Sequence, residues 1–283
     1  MAIDGETQLV GLIGWPVGHS FSPQMHNAAF AERGLNWVYV PLPVRPSEVG
    51  AAVRGLRALG LRGANVTVPH KQAVMPFMDE IEAAAAAIGA VNTIVVEETD
   101  QRRLLGYNTD WRGFMADLAA LDVRVGGRDC LVLGAGGSAR AVVYGLQASG
   151  GRVQVVARRL EQAQLLVREL GLTTGVTARS LEQLESIAAA SQAPLVVNTT
   201  PLGMSPASDL SVWPAWLPFP RGTFAYDLVY NPPGTRFMAL AKGAGCGTSN
   251  GLGMLLRQGA AAFALWTGLE PSLSAMANAL PLE

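Results

Sequence analysis

Short apolar runs alternate with helical patterns along the chain. In its first part, apolar runs at 9–14, 37–40 and 64–68 alternate with helical patterns at 22–33 and 47–59. Strands that alternate with helices form βα units, so this order predicts mostly parallel sheets. Ser22 is the predicted N-cap of the first helix, with Pro23 as its first helical residue. Gly34 and Gly60 stand where the ends of the two helices are expected.

A second alternating series begins near residue 129. Its apolar runs lie at 130–133, 153–156, 195–197 and 224–229, and its helical patterns at 138–148 and 160–170. These elements are typical of a doubly wound sheet. Without a Pro/Gly/Ser-rich linker, a helix that starts at Asp110 is the candidate bridge between the two series. Two later helical patterns, at 251–268 and 272–280, are expected to pack on either domain.

Composition sets the protein class. The chain has 283 residues, enough for two domains of about 150 residues each. It is 49% hydrophobic and 15% charged, which excludes a disordered chain and a fibrous repeat. No mostly apolar stretch reaches the roughly 18 residues of a membrane span, and the first residues do not resemble a secretory signal. We therefore expect a soluble, cytoplasmic protein.

The charge and the cysteine content restrict the kinds of ligand and partner that the protein is expected to bind. The net charge is −1, with acidic and basic residues interspersed, so we do not expect the protein to bind nucleic acid or anionic membranes. The expected partner is a small molecule. Cys130 and Cys246 lack metal-ligand spacing, which predicts two buried structural thiols and no bound metal. The three histidines, His19, His26 and His70, are interpreted as hydrogen-bonded or exposed structural residues.

Lysine is rare in this chain. Only Lys71 and Lys242 are lysines among 21 basic residues, and the other 19 are arginines. Arginine stays charged in proteins, whereas lysine can give and take a proton, so each lysine is a candidate catalyst. The competing interpretation is biased codon usage that left two lysines by chance.

A glycine-rich motif predicts a dinucleotide site. Residues Gly134, Ala135, Gly136, Gly137, Ser138 and Ala139 form G-x-G-x-x-A between an apolar run and a helical pattern. In that context the first glycine makes the tight turn and the second lets the backbone approach a pyrophosphate. Ala139 permits close packing of helix on strand, and the helix N-terminus offers N–H groups to the phosphates. The alternative is a tight βα turn without a ligand.

The end of the next predicted strand indicates which dinucleotide binds. An NAD site would place an acidic residue there to accept the ribose 2′-hydroxyl, but the chain has Ala157, Arg158 and Arg159. Two guanidinium groups suit a 2′-phosphate, which favours NADP. Glu161 is the nearest acid and keeps the NAD alternative open.

Polar side chains cluster at predicted strand ends in the first part. Ser20 and Ser22 lie one residue apart before a helix, where two hydroxyl groups can bind a carboxylate or a polyol. Asn65, Thr67 and Lys71 follow another strand, at the edge where open α/β sheets hold ligands. Asn92 with Thr93, and the segment 106–110, repeat the pattern of amide, hydroxyl and carboxylate groups. They match a small polyhydroxylated substrate, although each alone is ordinary turn chemistry.

Taken together, these motifs resemble the shikimate dehydrogenase family over essentially the whole chain. The matching blocks are residues 14–27, 63–71, 89–93, 106–110, 134–137, 198–204, 226–232 and 251–258. The resemblance implies NADPH-dependent reduction of 3-dehydroshikimate to shikimate, a CH–OH oxidoreductase step toward chorismate and the aromatic amino acids. It also implies a substrate-binding domain at 1–109 and 251–283, and a Rossmann-like NADP-binding domain at 110–250, with catalysis in a cleft between them.

The resemblance assigns roles residue by residue. Lys71 and Asp110 are similar to the family's catalytic pair. Substrate contacts are implied for Ser20, Ser22, Thr67, Asn92, Asp110, Tyr230 and Gln258. Cofactor contacts are implied for residues 134–139, Ala157, Arg158, Arg159, Thr200, Leu228, Gly251 and Met254.

Two positions depart from the family's pattern. Family members that use NADP often have Asn-Arg-Thr where this chain has 157–159, and Asn250 stands where an Asp is common. A quinate/shikimate dehydrogenase with relaxed substrate or NAD use, and a ligand sensor without turnover, stay open as alternatives. The expected assembly is a monomer or a homodimer.

Overall fold

The computed structural model describes residues 3–98, 100–171, 174–192, 194–205 and 207–280. Residues 1–2 and 281–283, which belong to the predicted substrate-binding segments, lie outside the described residues. The chain divides into two compact units, here called unit 1 (Met1–Gly113 with Leu256–Glu283) and unit 2 (Phe114–Leu255).

Twelve strands and ten α-helices follow one another along the described chain. The first are β1 (Gln8–Gly14), α1 (Ser22–Glu32), β2 (Trp37–Pro43), α2 (Val49–Ala58), β3 (Gly63–Val66), β4 (Glu80–Ile81), α3 (Ala83–Ile88), β5 (Thr93–Glu97), β6 (Arg103–Tyr107) and α4 (Asp110–Ala120). Next come β7 (Asp129–Leu133), α5 (Gly137–Ala148), β8 (Arg152–Ala157), α6 (Leu160–Glu169), β9 (Val176–Ser180), α7 (Leu184–Ala190), β10 (Leu195–Asn198), β11 (Phe224–Asp227), α8 (Arg236–Gly243), β12 (Gly247–Asn250), α9 (Leu252–Thr267) and α10 (Leu273–Asn278).

Unit 1 contains a six-stranded sheet in the order β2-β1-β3-β5-β6-β4. The pairs β1–β2, β1–β3 and β4–β6 are parallel, whereas β3–β5 and β5–β6 are antiparallel. Apolar side chains on the central strands are fully buried, among them Ile13, Ala64 and Ile94. Burying an isoleucine side chain stabilises the folded state by about 1.5–3 kcal/mol, so these strands anchor the loops at their ends.

The first helix starts one residue earlier than predicted. Phe21 is the N-cap of α1 and Ser22 is already helical, with no side-chain hydrogen bond at the cap. Instead, the backbone N–H of Ser22 donates to Ser20 Oγ at 3.3 Å. The predicted N-cap role of Ser22 is therefore wrong. Gly34 and Gly60 do end α1 and α2, and their φ angles of 64° and 70° explain why glycine stands there.

Unit 2 contains a six-stranded, all-parallel sheet in the order β12-β11-β10-β7-β8-β9. Counted from β7, this is the strand order 3-2-1-4-5-6 of the classic dinucleotide-binding fold. The α/β class and the doubly wound sheet predicted from sequence are thereby confirmed. The central strands carry fully buried apolar runs, such as Leu131 to Leu133 in β7.

The hydrophobic pattern did not predict the two edge strands of unit 2. β12 consists of Gly-Thr-Ser-Asn and contains no apolar side chain, and β9 ends in Ala-Arg-Ser. Edge strands need less buried surface because one side of their backbone faces no further strand, so an apolar run is not required.

Both cysteines have free thiols, as predicted. Cys130 is fully buried in the core of unit 2, where burial raises the pKa of its thiol to about 12. Cys246 is only half-buried, so the predicted full burial applies to Cys130 alone. Among the helices of the described residues, none combines the length and the apolar character needed to cross a membrane.

Candidate active site

A buried ion pair lies at the carboxyl-end loops of the unit 1 sheet. Lys71 Nζ donates to Asp110 Oδ2 at 2.6 Å, and the two residues are 9% and 5% exposed. The Lys71 carbonyl oxygen accepts from the backbone N–H of Val91 at 2.8 Å, which fixes the turn that carries the lysine. Charge-assisted hydrogen bonds of this length are roughly twice as strong as neutral ones. Of the two lysines, only Lys71 forms an ion pair with another residue that the structure describes.

Asp110 is the first residue of α4, and a neighbour holds that helix start in place. Asn108 Oδ1 accepts from the N–H groups of Asp110 and Trp111, at 3.1 and 3.4 Å. These are two of the donors that a helix N-terminus leaves unpaired. The carboxylate also lies at the positive end of the helix dipole, which favours its charge.

Asn92 connects this pair to its surroundings. Its Nδ2 donates to Asp110 Oδ1 at 2.8 Å, while its Oδ1 accepts from the backbone N–H of Thr109 at 2.7 Å. Gln258 Oε1 lies 3.4 Å from Asn92 Nδ2. Of the predicted site residues, the structure thus brings together Lys71, Asp110, Asn92 and Gln258.

Ser20 and Ser22 form a second polar group in unit 1. Ser20 Oγ donates to Ser22 Oγ at 3.2 Å and accepts from the Ser22 backbone N–H, while the Ser22 hydroxyl does not cap α1. Two adjacent hydroxyl groups beside a helix start can bind one carboxylate through both of its oxygens.

The turn that carries Thr67 packs against the end of β1. The backbone N–H of Thr67 donates to the carbonyl of Ile13 at 2.8 Å. At Gly14, any Cβ would lie 2.4 Å from Thr67 Cγ2, so only glycine allows this approach. His70, next to the catalytic candidate, is buried with its Nε2 2.7 Å from the carbonyl oxygen of Val44.

The glycine-rich turn of unit 2 has the predicted geometry. Gly134 follows β7 with a φ of 116°, and a Cβ there would lie 2.6 Å from Thr199 Oγ1. The N-cap of α5 is Gly136, which brings no side chain to the first N–H groups of the helix. Among the described residues, a Cβ at Gly136 would have no heavy atom within 4 Å beyond its chain neighbours. Ala139, in the helix, is fully buried. An open turn at a helix start that no side chain of the described residues caps suits a pyrophosphate.

Of the strand-end residues predicted to select the cofactor, Arg158 and Arg159 are exposed and Ala157 is buried. β8 ends at Ala157, and Arg158 and Arg159 precede α6, with no acidic residue before Glu161 in the first turn of that helix. Their guanidinium groups suit a 2′-phosphate and provide no acceptor for a ribose hydroxyl. The residues present therefore fit NADP.

The other predicted cofactor residues lie in unit 2, as does Tyr230, in the loop after β11. Thr200 is half-buried, and its N–H and Oγ1 both donate to Asn198 Oδ1. Gly251 packs on Leu228, whose carbonyl oxygen a Cβ would meet at 2.2 Å. Met254 is 7% exposed and packs in the core of the unit.

Sequence reasoning missed a buried carboxylate beneath these loops. Asp227 accepts hydrogen bonds from Asn198 Nδ2, the Val229 N–H and Thr235 Oγ1, at 2.9, 3.0 and 2.5 Å. Burial raises its pKa to about 6, an effect larger than the opposing one of the three hydrogen bonds. The sequence signal was a lone Asp at the end of an apolar run.

The histidines divide into three environments. His19 is exposed and His70 is within hydrogen-bond distance of a carbonyl oxygen, as interpreted from sequence. His26 is fully buried, and neither of its ring nitrogens has a hydrogen-bond partner within the described part of the chain. For His26 the interpretation was wrong. Its ring stacks on Tyr39, with centroids 4.5 Å apart and planes 3° apart.

An α/β unit with a buried lysine–carboxylate pair, joined in one chain to a doubly wound sheet with a glycine-rich turn, defines a nucleotide-dependent dehydrogenase. Residues 12–94 match the model of the shikimate dehydrogenase substrate binding domain, and residues 251–280 match that of the shikimate 5′-dehydrogenase C-terminal domain. The chain belongs to the shikimate dehydrogenase family.

Individual relatives agree with this membership. The chain is 43% identical to the shikimate dehydrogenase (NADP(+)) of Carboxydothermus hydrogenoformans, over 100% of both chains. A crystal structure of a shikimate dehydrogenase in complex with NADP+ has a TM-score of 0.90 at 40% identity and covers 98% of this chain and 96% of its own. The quinate dehydrogenase of Corynebacterium glutamicum, in complex with NAD, has a TM-score of 0.86 at 32% identity, covering 96% and 98%.

Proposed function

We propose that this chain reduces 3-dehydroshikimate to shikimate with NADPH, with Lys71 as proton donor and Asp110 as the partner that orients it. The chain is an oxidoreductase of a family whose relatives are named for this activity and for NADP(+). The observation that carries the proposal is the buried Lys71–Asp110 pair at 2.6 Å, which Asn92 holds from the other side.

The chemistry requires one hydride and one proton. Bound NADPH supplies the hydride to the ketone carbon. The ketone oxygen then becomes an alkoxide and takes a proton in or near the transition state, which the Lys71 ammonium donates. An arginine in this place stabilises the negative oxygen but does not release a proton readily. Asp110 accepts a hydrogen bond from the ammonium and so sets the direction of Nζ.

Substrate recognition is assigned to two groups of polar side chains. Ser20 and Ser22 bind the carboxylate through their adjacent hydroxyl groups, with Tyr230 assisting. Thr67, Asn92, Asp110 and Gln258 bind the ring hydroxyl groups. Support comes from burial and from the contacts of Asn92 with Asp110 and Gln258, which hold polar groups together where solvent does not reach them.

Cofactor binding is assigned to unit 2. Residues 134–139 hold the pyrophosphate, and Ala157, Arg158 and Arg159 hold the 2′-phosphate and adenine side. Further contacts are assigned to Thr200, Leu228, Gly251 and Met254. In this proposal, residues 1–109 with 251–283 form the substrate-binding domain and residues 110–250 the NADP-binding domain. The enzyme acts in the cytoplasm, as a monomer or a homodimer, in chorismate and aromatic amino acid biosynthesis.

A quinate/shikimate dehydrogenase is the second candidate, because a quinate dehydrogenase with bound NAD has a similar fold. The absence of an acidic residue at 157–159 favours the strict NADP enzyme. A sensor without turnover has no use for a buried proton donor, so the Lys71–Asp110 pair favours an enzyme.

One assay separates these functions. The purified protein is mixed with NADPH and 3-dehydroshikimate, and NADPH absorbance is followed. The same measurement is made with NADH, and in the oxidative direction with shikimate and with quinate. We expect turnover with the first pair and with shikimate and NADP+. If quinate with NAD+ is turned over as fast as shikimate with NADP+, the result favours the second candidate. If no pair is turned over, the result favours a ligand sensor.

A further inference from the structure

A continuous series of buried side-chain hydrogen bonds leads from Tyr39 to Asp110. Tyr39 Oη donates to Asn65 Oδ1 at 2.9 Å, and Asn65 Nδ2 donates to Thr93 Oγ1 at 3.1 Å. Thr93 Oγ1 donates in turn to Asn92 Oδ1 at 3.1 Å, and Asn92 Nδ2 donates to Asp110 Oδ1 at 2.8 Å. Every member is 5% exposed or less, so no solvent competes for these bonds.

The first two hydrogen bonds of the series have a fixed direction, because the amide of Asn65 can take only one orientation. Its Nδ2 also lies 3.3 Å from the carbonyl oxygen of Asn92, and a flipped amide would place two oxygens there. Asn65 Oδ1 must therefore face Tyr39 and needs the donor that the phenol supplies. Asn65 Nδ2 occupies one lone pair of the Thr93 hydroxyl group, whose single hydrogen is donated to Asn92 Oδ1 at 3.1 Å, with Thr109 Oγ1 as a second neighbour at 3.2 Å.

The first member of the series is held from a second side. The ring of His26, on α1, stacks on Tyr39, and the ring centroid of Trp266 lies 6.1 Å from that of Tyr39. Burial lowers the pKa of His26 to about 3, so the stacked imidazole is neutral near pH 7. A neutral, tightly packed neighbour fixes the ring of Tyr39 and with it the position of the hydroxyl group.

We propose that Tyr39 is a positioning residue for the reaction, acting through Asn65, Thr93 and Asn92 on the carboxylate of Asp110. The inference rests on the proposed function of that site. Without the phenol hydroxyl, Asn65 Oδ1 is a buried acceptor that lacks a partner, or the amide flips against the Asn92 carbonyl. A flipped amide draws the Thr93 hydroxyl to itself and takes it from Asn92. The amide that contacts both Asp110 and Gln258 is then less well fixed.

The test is Tyr39→Phe, which removes one oxygen and keeps the ring. We expect kcat/KM for shikimate to fall about tenfold while KM for NADP+ stays within twofold of the wild-type value. Thr93→Val interrupts the same series and should give a similar loss, and Thr93→Ser should restore most of the activity. The double variant Tyr39→Phe/Thr93→Val should lose little more than either single variant, because the residues act as one unit.

Ser191→Ala is the control for the general loss of a buried hydrogen bond. Ser191 Oγ donates to the carbonyl oxygen of Ile187 at 2.8 Å in unit 2, apart from the series. This variant should lower Tm by a similar amount and leave kcat/KM unchanged. If Tyr39→Phe keeps wild-type kcat/KM, or if its loss equals that of Ser191→Ala at equal Tm, the inference is wrong.

A binding readout separates this inference from the proposed function. The rise in Tm on adding shikimate is measured for the wild type and for Tyr39→Phe. A wild type that binds shikimate without turnover contradicts the proposed function, and a smaller Tm rise in Tyr39→Phe still supports the positioning role. An equal Tm rise in both proteins, with equal kcat where turnover occurs, contradicts the inference alone.

Discussion

Acidification tests the burial of His26 directly. Burial lowers the pKa of this residue to about 3 in the folded protein, whereas an unfolded histidine titrates at 6.5. Between these values the unfolded chain binds a proton that the folded chain does not. Stability contributed by the neutral ring is therefore present above the unfolded pKa and is lost as the pH falls below it.

The magnitude follows from the unfolded pKa alone while the pH stays well above 3. At pH 7.5 almost no unfolded His26 is protonated, and at pH 5.0 nearly all of it is. The proton then favours the unfolded state by about 2 kcal/mol, since one pH unit corresponds to about 1.4 kcal/mol. His26→Phe keeps an aromatic ring against Tyr39 and removes the titrating group.

The assay is urea unfolding at pH 7.5 and 5.0, followed by tryptophan fluorescence. Between pH 7.5 and pH 5.0, the free energy of unfolding of the wild type should fall by about 2 kcal/mol more than that of His26→Phe. This holds whatever the difference in stability between the two proteins at pH 7.5. Comparing the changes cancels every other titrating group that the two proteins share. Equal changes in the two proteins would refute the conclusion that His26 is buried and neutral.

Three further predictions concern unit 2. Burial raises the pKa of Asp227 to about 6 from 3.8, so between these two pH values the folded state holds a proton that the unfolded state lacks. When the pH is lowered from 7.5 to 5.0, the free energy of unfolding of the wild type should therefore rise by about 1 kcal/mol relative to that of Asp227→Asn, as measured by urea unfolding. Gly134→Ala should destabilise the protein by about 1–3 kcal/mol, because Gly134 has a φ of 116°, whereas Gly136→Ala, with φ −88° and open space, should not. Arg158→Gln/Arg159→Gln should raise KM for NADPH at least roughly tenfold and leave KM for NADH unchanged, because in the proposed function the guanidinium groups bind only the 2′-phosphate, which NADH lacks.

The fold was predictable where the hydrophobic pattern is local. The buried run that ends at Leu133, the glycine at 134 and the helix that follows are contiguous in sequence, so their spacing alone indicates the dinucleotide fold. The strand Gly247–Asn250 was not predictable, because its position depends on hydrogen bonds to β11 rather than on apolar side chains.

The candidate site shows the same limit. Its polar residues at strand ends were visible in the sequence, because strand ends can be located from periodicity. The hydrogen-bonding role of Tyr39 was not visible, because a tyrosine within an apolar strand is indistinguishable from a core residue. Its partner Asn65 is 26 positions away, and only the register of β2, β1 and β3 brings them together. The environment of His26 is likewise formed by three separate elements, which contribute Tyr39, Phe30 and Trp266.

The central claim is that Lys71 donates the proton, and Lys71→Met tests it most directly. Methionine has a similar length and no charge, and Lys242→Met is the matched control because Lys242 is the other lysine and is exposed on α8. Shikimate affinity, measured by titration, should stay near the wild-type value in both variants and serves as the check on folding. We expect kcat for Lys71→Met to fall by about 10²–10⁴ while Lys242→Met keeps the wild-type kcat. A Lys71→Met protein that binds shikimate and retains near-wild-type kcat would contradict the account.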